Sequence, residues 1–467
     1  MSMNSHKPLI IAGCLLVPLI ATVAFQISTY VPDPYMDEVF HVPQTAKYCR
    51  GQFMEWDPKI TTFPGLYIFG TVYAWTLHRL ESFYLGSASL EAACGTSALR
   101  SLNLLFAAAC FLLAYLTHRE LHPVSSDVTS AFTAAALALF PLHFFYTFLY
   151  YTDTGAAACV LAAYLACLRR RHHWSALAAA AATGFRQTNA VWAAFILAVG
   201  VMRECRWQTA SGWACQTLRQ QLRQLLSQAW QMKGQLVARL WSLALVPLAF
   251  AVFVNLNGGI VVGDRSAHVP VWHLAQPLYF VLYTASCLAP FHFHPARLWS
   301  FFKDSSRVAQ AGTLRARVCL LLLVVLLAWA VQKGTLAHPY LLADNRHYTF
   351  YIWKNFFARH PAARFMLLPL YLYAGWSLWE SLHSQQPALW MLALGLCTTA
   401  TTVPAWLLEF RYFTVPAFLV LLHMRPMRVS QLAQTLALYM AVNAATLYMF
   451  LYRPFRWPDG SQARFLW

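Results

Sequence analysis

The sequence predicts an all-α polytopic membrane protein, and three observations carry that prediction. Hydrophobic residues make up 59% of the 467, charged residues only 11% and aromatic residues 15%, a balance that a soluble domain of this length does not carry. Apolar stretches close to the ~20 residues needed to cross a bilayer recur along the whole chain. The basic residues behind the +17 net charge gather in short loops between those stretches, at 169–173, 203–239, 297–317 and 425–428. This clustering marks one common cytoplasmic face and argues against nucleic acid as the partner.

The segment 8–30 is apolar enough to span, interrupted only by Gln26 and a few hydroxyls. It lacks a small-residue cleavage site, so a retained first helix is expected. With His6 and Lys7 in the cytoplasm, the run Tyr35-Met-Asp-Glu-Val-Phe-His41 emerges on the other, lumenal side. A chain with 17 acidic residues that sets Asp37 and Glu38 side by side at a membrane face marks that loop for chemistry. Further apolar segments lie at 99–117, 128–148, 154–168, 174–186, 190–202, 241–262, 272–292, 316–332, 363–382, 389–406, 411–423 and 431–451. About 13–14 crossings are expected, depending on the apolar stretch 63–80. A full crossing there would turn the basic clusters at 169–173 and 203–239 to the lumen, so a segment that dips into or lies along the membrane is preferred. Segments 174–186 and 190–202 are short for spans, which places the hinge between them within the membrane. The chain reads as one membrane domain, 1–467. It has a long first lumenal loop with partly embedded helices at 31–98, a basic cytoplasmic loop at 203–240 and a further lumenal loop at 334–361.

The 11 cysteines lie mostly within apolar segments and show no zinc-like spacing. They read as small buried hydrophobes rather than disulfides or ligands. No Asn-x-Ser/Thr sequon occurs. Under the parity above, the polar motifs all fall on the side of Asp37: Tyr151-Thr-Asp-Thr-Gly155, Gly184-Phe-Arg-Gln-Thr-Asn189, the run 338–354 and Leu408-Glu-Phe-Arg-Tyr412. Convergence of Asp, Arg, His and Asn on one membrane face is what an active site there requires. Each motif alone is equally compatible with an interface anchor or a helix pairing. Two other classes stay open. A transporter would show inverted repeats and broken helices near the midplane, whereas no internal repeat is visible here and the acids sit at one face. A channel-regulating subunit would need no base of the Asp37 kind.

The segments Tyr35-Met-Asp-Glu-Val-Phe-His-Val-Pro-Gln44 and Trp56-Asp-Pro-Lys-Ile-Thr-Thr-Phe-Pro-Gly-Leu-Tyr67 resemble the first lumenal loop of the dolichyl-phosphate-glucose-dependent α-1,2-glucosyltransferases. That family adds the last glucose to the lipid-linked oligosaccharide for N-glycosylation. The likeness continues through Tyr151-Thr-Asp-Thr-Gly155, Gly184-Phe-Arg-Gln-Thr-Asn-Ala-Val-Trp192, His338-Pro-Tyr-Leu-Leu-Ala-Asp-Asn-Arg-His-Tyr-Thr-Phe-Tyr-Ile-Trp353, Leu408-Glu-Phe-Arg-Tyr412 and the closing Arg464-Phe-Leu-Trp467. The first-loop and Asp-Asn-Arg-His matches are specific; Tyr-Thr-Asp-Thr-Gly alone is weak, and the basic, Gln-rich 203–239 loop carries no recognisable motif. The resemblance implies the polytopic GT-C fold and a catalytic acid in the first lumenal loop. It also implies glucose as the sugar, an α-1,2 linkage and Glc2Man9GlcNAc2-PP-dolichol as acceptor.

A β-linked lipid-phosphate donor and an α-linked product, as the resemblance implies, mean inversion in a single displacement. One carboxylate then suffices as general base on the acceptor 2-hydroxyl. Asp37 is the expected base and Glu38 the alternative. If both sit on a helix, adjacent side chains diverge by about 100°, so only one can face the acceptor. The phosphate leaves readily and needs cationic donors rather than a strong acid. Arg346 and His347 fit that role, with His338, Arg411 and Arg186 as second choices. Arg186 is also expected to pair with Asp153, Glu409 or phosphate. Trp56, Asp57, Asp153, Asp344 and Asn345 are candidates for holding the acceptor; a Pro-fixed turn explains Trp56 and Asp57 equally well, and helix capping explains Asp153. No Asp-x-Asp pair or His/Cys cluster has metal spacing, and a donor with one phosphate has less need of a divalent ion, so metal-independent catalysis with no cofactor is expected. The expected partners are the two dolichol-linked substrates and membrane lipids. A monomer in the endoplasmic reticulum membrane is expected, its active site lumenal.

Overall fold

The computed structural model describes residues 7–86, 89–205, 216–265 and 269–467. His6, residues 87–88 of the first loop and 206–215 of the basic loop lie outside them. The chain forms two compact units, one of residues 1–268 with 387–393 and the other of 269–386 with 394–467.

In the first unit, α1 (Lys7–Tyr30) leads through a short turn into α2 (Glu38–Cys49), and a long loop leads to α3 (Gly65–Leu85), α4 (Leu90–Ala93) and α5 (Thr96–Leu121). α3 keeps to one end of α5. Its Phe69 meets Phe106 with ring centroids 6.0 Å apart, and Tyr73 Oη lies 2.6 Å from Ser101 Oγ. The expected span 128–148 is divided into α6 (Asp127–Ala138) and α7 (Pro141–Tyr146). Pro141 supplies no N–H and holds Phe140 extended at ψ 121, so the helix has to restart.

α8 (Thr152–Leu168) then packs against α5, and α9 (His172–Phe185) and α10 (Asn189–Glu204) pack in turn against α8. They are rich in alanine, whose small side chains let backbones approach where no hydrophobic drive separates lipid from protein. Gly65 meets Gly184 backbone to backbone, where an added Cβ would sit 2.4 Å from the Gly184 carbonyl carbon. The unit continues with α11 (Leu218–Gln231) and α12 (Lys233–Asn257).

The second unit holds α13 (Gln276–Cys287), α14 (Ala289–His292), α15 (Pro295–Ala311) and α16 (Leu314–Gly334). The short helices α17 (Pro339–Ala343), α18 (Tyr348–Ile352) and α19 (Ala363–Met366) follow, with a π-helical turn at Trp353–Phe357. α20 (Leu368–His383), α21 (Ala388–Thr402), α22 (Thr414–His423) and α23 (Val429–Tyr452) complete the helices, α21 beginning in the first unit. A hairpin of β1 (Phe455–Arg456) and β2 (Gln462–Ala463) closes the chain.

Among the described residues, five helices, α1, α5, α12, α16 and α23, are long and apolar enough to cross a membrane. In α16 only Val331 and Gly334 are buried while Leu321 to Leu323 stand exposed, as lipid-facing residues must. The protein is an all-α polytopic membrane protein.

One reading of the sequence is corrected. Cys49 and Cys94 form a disulfide, although the cysteines read as buried hydrophobes. α3 folds back over α2 and returns the chain to the end of that helix, where Trp75 Nε1 donates to the Cys49 carbonyl at 3.1 Å. Both cysteines fall in the loop 31–98 and outside the apolar segments, so they lacked the setting on which the hydrophobe reading rested. Cys110, Cys167 and Cys205 are buried thiols as expected, whereas Cys14 and Cys319 are exposed on apolar helices.

Candidate active site

The first cluster sits where α1 ends. Met36 adopts a left-handed backbone at φ 58, rare for a side chain of this size, and turns the chain sharply into α2. Asp37 occupies the N-cap position of α2 without capping it through its own side chain. Its backbone N–H donates to Tyr151 Oη at 3.0 Å, and the residue is half-buried. Glu38, by contrast, is fully buried. Its two oxygens accept from Arg100 Nε (2.8 Å) and Nη2 (2.6 Å), and from the backbone N–H groups of Tyr35 (3.0 Å) and Tyr150 (2.6 Å). Arg100 also donates to the carbonyls of Val31 (2.6 Å) and Asp33 (3.1 Å). One guanidinium therefore fastens the end of α1, the start of α2 and, through Glu38, the turn that feeds α8. The neighbouring carboxylates are thus unlike: one locked by donors, the other at a half-exposed helix start.

The same turn packs this cluster from above. Asn103 Nδ2 donates to the Tyr151 carbonyl at 3.0 Å, Thr45 Oγ1 lies 2.9 Å from Tyr150 Oη, and His41 Nδ1 lies 2.8 Å from Tyr67 Oη. Gly70 makes this possible, because a Cβ there would sit 2.0 Å from Tyr150 Oη. The aromatic run 142–151 is buried throughout and serves as helix packing.

Trp56 and Asp57 are held beside α2 by Gln44, which donates to the Glu55 carbonyl at 2.7 Å and accepts from the Asp57 N–H at 3.0 Å. Asp57 Oδ1 accepts from the Lys59 N–H at 2.9 Å across Pro58, a turn of the local kind. The Trp56 ring stands edge-on to Tyr67 at 5.5 Å and is half-buried. Arg186, just beyond α9, donates to Asp153 in the first turn of α8, one of its three expected partners. Next to it, Gln187 donates to the Thr61 carbonyl at 2.7 Å. Asp37, Glu38, Asp153, Arg186 and the 56–61 loop therefore share one end of the first unit.

The second cluster lies in the second unit. Arg346 grips Asp344 in a fork, with Nε 2.8 Å from Oδ1 and Nη2 2.7 Å from Oδ2, and its own N–H adds a bond of 3.0 Å. Burial works against the Asp344 charge, but the bonds from Arg346 and the nearby His347 outweigh it and hold the carboxyl below its ordinary value. The C-terminal tail clasps this loop. His347 Nδ1 lies 2.8 Å from the Trp467 oxygen, the Leu466 N–H donates to the Arg346 carbonyl at 3.0 Å, and the Tyr348 N–H donates to the Leu466 carbonyl at 3.2 Å. Trp457 lies under the Arg346 guanidinium at 4.7 Å and donates from Nε1 to Asn345 Oδ1 at 2.9 Å. Glu409 and Arg411 form a similar fork, at 3.1 and 3.0 Å. His338 is buried, caps α17 through Nδ1 and packs edge-on against Trp406 at 4.8 Å.

Sequence reasoning singled out the acids and cations of both clusters but missed Arg100, Gln44, Tyr151 and Trp457. Arg100 was detectable: it is a lone cation just inside the apolar segment 99–117, the setting that made Arg186 conspicuous. Among the described residues, no group of three or more His, Cys, Asp or Glu is placed to hold a metal ion.

Comparisons with known proteins reach the same residues. A profile of the DIE2/ALG10 family matches residues 31–422. A Rattus norvegicus protein named Dol-P-Glc:Glc(2)Man(9)GlcNAc(2)-PP-Dol alpha-1,2-glucosyltransferase is 38% identical over 457 residues, covering 93% of each chain. Proteins of the same name from Arabidopsis thaliana (36% over 94% of this chain and 95% of the relative) and Yarrowia lipolytica (32% over the full length of both) are also similar. No solved structure matches. With the profile running over residues 31–422 and the relatives spanning nearly the whole chain, this chain belongs to the DIE2/ALG10 family.

Proposed function

We propose that the protein is a hexosyltransferase. It moves glucose from dolichyl-phosphate-glucose to the 2-hydroxyl of the terminal glucose of Glc2Man9GlcNAc2-PP-dolichol, at the lumenal face of the endoplasmic reticulum membrane. The observation that carries this reading is the 32–38% identity, over at least 93% of the chain, to relatives that all bear that activity in their names. A transporter or channel-regulating subunit has no comparable support.

In this reaction the acceptor oxygen attacks the anomeric carbon as the carbon–oxygen bond to phosphate breaks. The bonding pair leaves with dolichyl phosphate, the anomeric centre inverts, and one proton has to be taken from the acceptor hydroxyl. We assign that proton to Asp37 rather than Glu38, because both oxygens of Glu38 are engaged by Arg100 and backbone donors. We assign the leaving phosphate to Arg346 and His347, with His338, Arg411 and Arg186 as further cations. The planar guanidinium suits a phosphate, and Trp457 braces its plane. Trp56, Asp57, Asp153, Asp344 and Asn345 are assigned to the acceptor. Asp153 and Asp344 also neutralise Arg186 and Arg346, so a bound phosphate would meet half-compensated cations. The displacement needs no divalent ion, since the donor carries a single phosphate, and a monomer suffices for it.

The test is glucose transfer by the purified full chain in liposomes supplied with both dolichol-linked substrates. An α-1,2-linked glucose on the oligosaccharide is expected. Folded protein that transfers none would overturn the assignment.

A further inference from the structure

The basic loop that none of this uses contains α11, and that helix has an exposed apolar stripe. Leu218, Leu222, Leu226 and Trp230 recur every four residues at 43%, 45%, 60% and 71% exposure. The opposite side is tied down, since Gln221 is buried and accepts from the Leu389 N–H at 3.3 Å. A capping box at Thr217 and Gln220 fixes the start of the helix. Arg219 and Arg223 border the stripe, and Lys233 lies 4.1 Å over the Trp230 ring. No acidic residue occurs between 205 and 263.

Where this helix sits follows from its neighbour. α11 ends at Gln231 and α12, one of the five candidate membrane spans, begins at Lys233. The start of α12 is pinned to the end of α10 by Arg239, which bonds Glu204. Since α10 runs about 24 Å from the Arg186 turn to Glu204, α11 lies at the membrane face remote from Asp37. An amphipathic helix there has lipid beside its apolar stripe and headgroups beside its arginines.

We propose that α11 is an in-plane helix that docks on anionic phospholipid of that leaflet. Leu222, Leu226 and Trp230 enter the acyl boundary, while Arg219, Arg223 and Lys233 hold acidic headgroups. The pattern recurs independently in α15, which precedes the candidate span α16 and exposes Trp299 (72%) and Phe302 (62%) beside Lys303 and Arg307.

The test uses the full chain with Cys14, Cys215 and Cys319 replaced by serine. A single environment-sensitive fluorophore is placed by Leu226→Cys or, as control, Ser227→Cys, in vesicles of phosphatidylcholine and phosphatidylserine. Brominated lipid should quench the Leu226 probe well above the Ser227 probe, and aqueous iodide should do the reverse. Brominated phosphatidylserine should quench the Leu226 probe roughly twofold or more better than an equal amount of brominated phosphatidylcholine. Arg219→Gln with Arg223→Gln should bring that ratio to one. Equal quenching at the two sites would overturn the proposal. So would a Leu226 probe shielded from both quenchers, as a protein partner would leave it, or a starting ratio of one.

Discussion

Glu38 and Arg100 meet fork to fork inside the first unit, with only 0% and 6% of their side chains exposed. The pair ties the end of the first membrane helix to the helix whose N-cap is Asp37. Two adjacent acids in one sequence motif thereby occupy different settings: Glu38 is buried and holds the turn, and Asp37 is half-buried at the start of α2.

Removing one partner leaves a charge or a set of donors buried without compensation, which typically costs about 3–5 kcal/mol. Arg100→Leu should therefore lower the thermal unfolding temperature of the detergent-solubilised protein sharply. Glu38→Gln should do so less, because the remaining amide oxygen can still accept from one of the two backbone N–H groups, that of Tyr35 or that of Tyr150. An unfolding temperature unchanged in both would show that the pair does not hold the loop.

Asp37→Asn should behave in the opposite way. An amide of the same shape replaces the carboxylate at a half-buried position, so the fold should persist while glucose transfer falls by ~10²–10⁴-fold through loss of a general base. Single-turnover assays at saturating donor and acceptor measure this directly. Transfer within about threefold of the unaltered protein, far below the usual effect of losing a general base, would move the role to Asp57 or Glu38.

Much of this was legible in the chain. Hydropathy and the basic loops give the all-α membrane class, and the acidic turn after the first helix marks the first cluster, because both are local properties of sequence. The pairing of Arg186 with Asp153 was among the partners expected, since an isolated guanidinium in an apolar setting demands one. What was not legible depends on distant segments meeting. Glu38 is indistinguishable from Asp37 until Arg100 and Tyr150 arrive from 62 and 112 residues away. Trp457 and Trp467 read as ordinary aromatic residues until the tail folds onto Arg346.

The Cys49–Cys94 bridge closes a loop with a sequence separation of 45. By the chain-entropy estimate, such a loop contributes about 4 kcal/mol against unfolding of the crosslinked segment. Cys49→Ser and reduction of the unaltered protein should lower the unfolding temperature alike. They should also speed proteolysis within 50–93, which gel analysis would detect. Reduction should have no further effect on the Cys49→Ser protein; an additional loss there would point to a second reducible bond.

The Asp344 carboxyl is held below its ordinary value, so its pair with Arg346 stabilises the fold fully above the unfolded pKa of about 3.9. That contribution is lost as pH falls through the folded value. Asp344→Asn should flatten this acid-side loss in a series of unfolding temperatures from pH 6 downwards to about 3, a window set by the unfolded pKa, while leaving the neutral-to-alkaline side unchanged in shape. An identical acid limb in both proteins would assign the loss to other carboxylates.

Arg346 offers the sharpest separation between holding a phosphate and holding the tail. Both roles use the planar fork, so Arg346→Lys alone is ambiguous: it loses the bidentate grip on Asp344 and any bidentate grip on phosphate together. Asp344→Asn resolves this, because it weakens the structural pair and leaves the guanidinium in place. If Arg346 stabilises the leaving phosphate, Arg346→Lys should lower turnover by ~10-fold or more at saturating donor. Asp344→Asn should then leave turnover much nearer normal, with any change falling on the acceptor KM. His347→Ala should follow Arg346→Lys in turnover, with unfolding temperature as the control for the lost bond to Trp467. Steady-state rates with donor and acceptor varied in turn distinguish the outcomes. Equal losses in Arg346→Lys and Asp344→Asn, tracking their unfolding temperatures, would make the fork an anchor for the C-terminal tail and return the phosphate to Arg186 and Arg411.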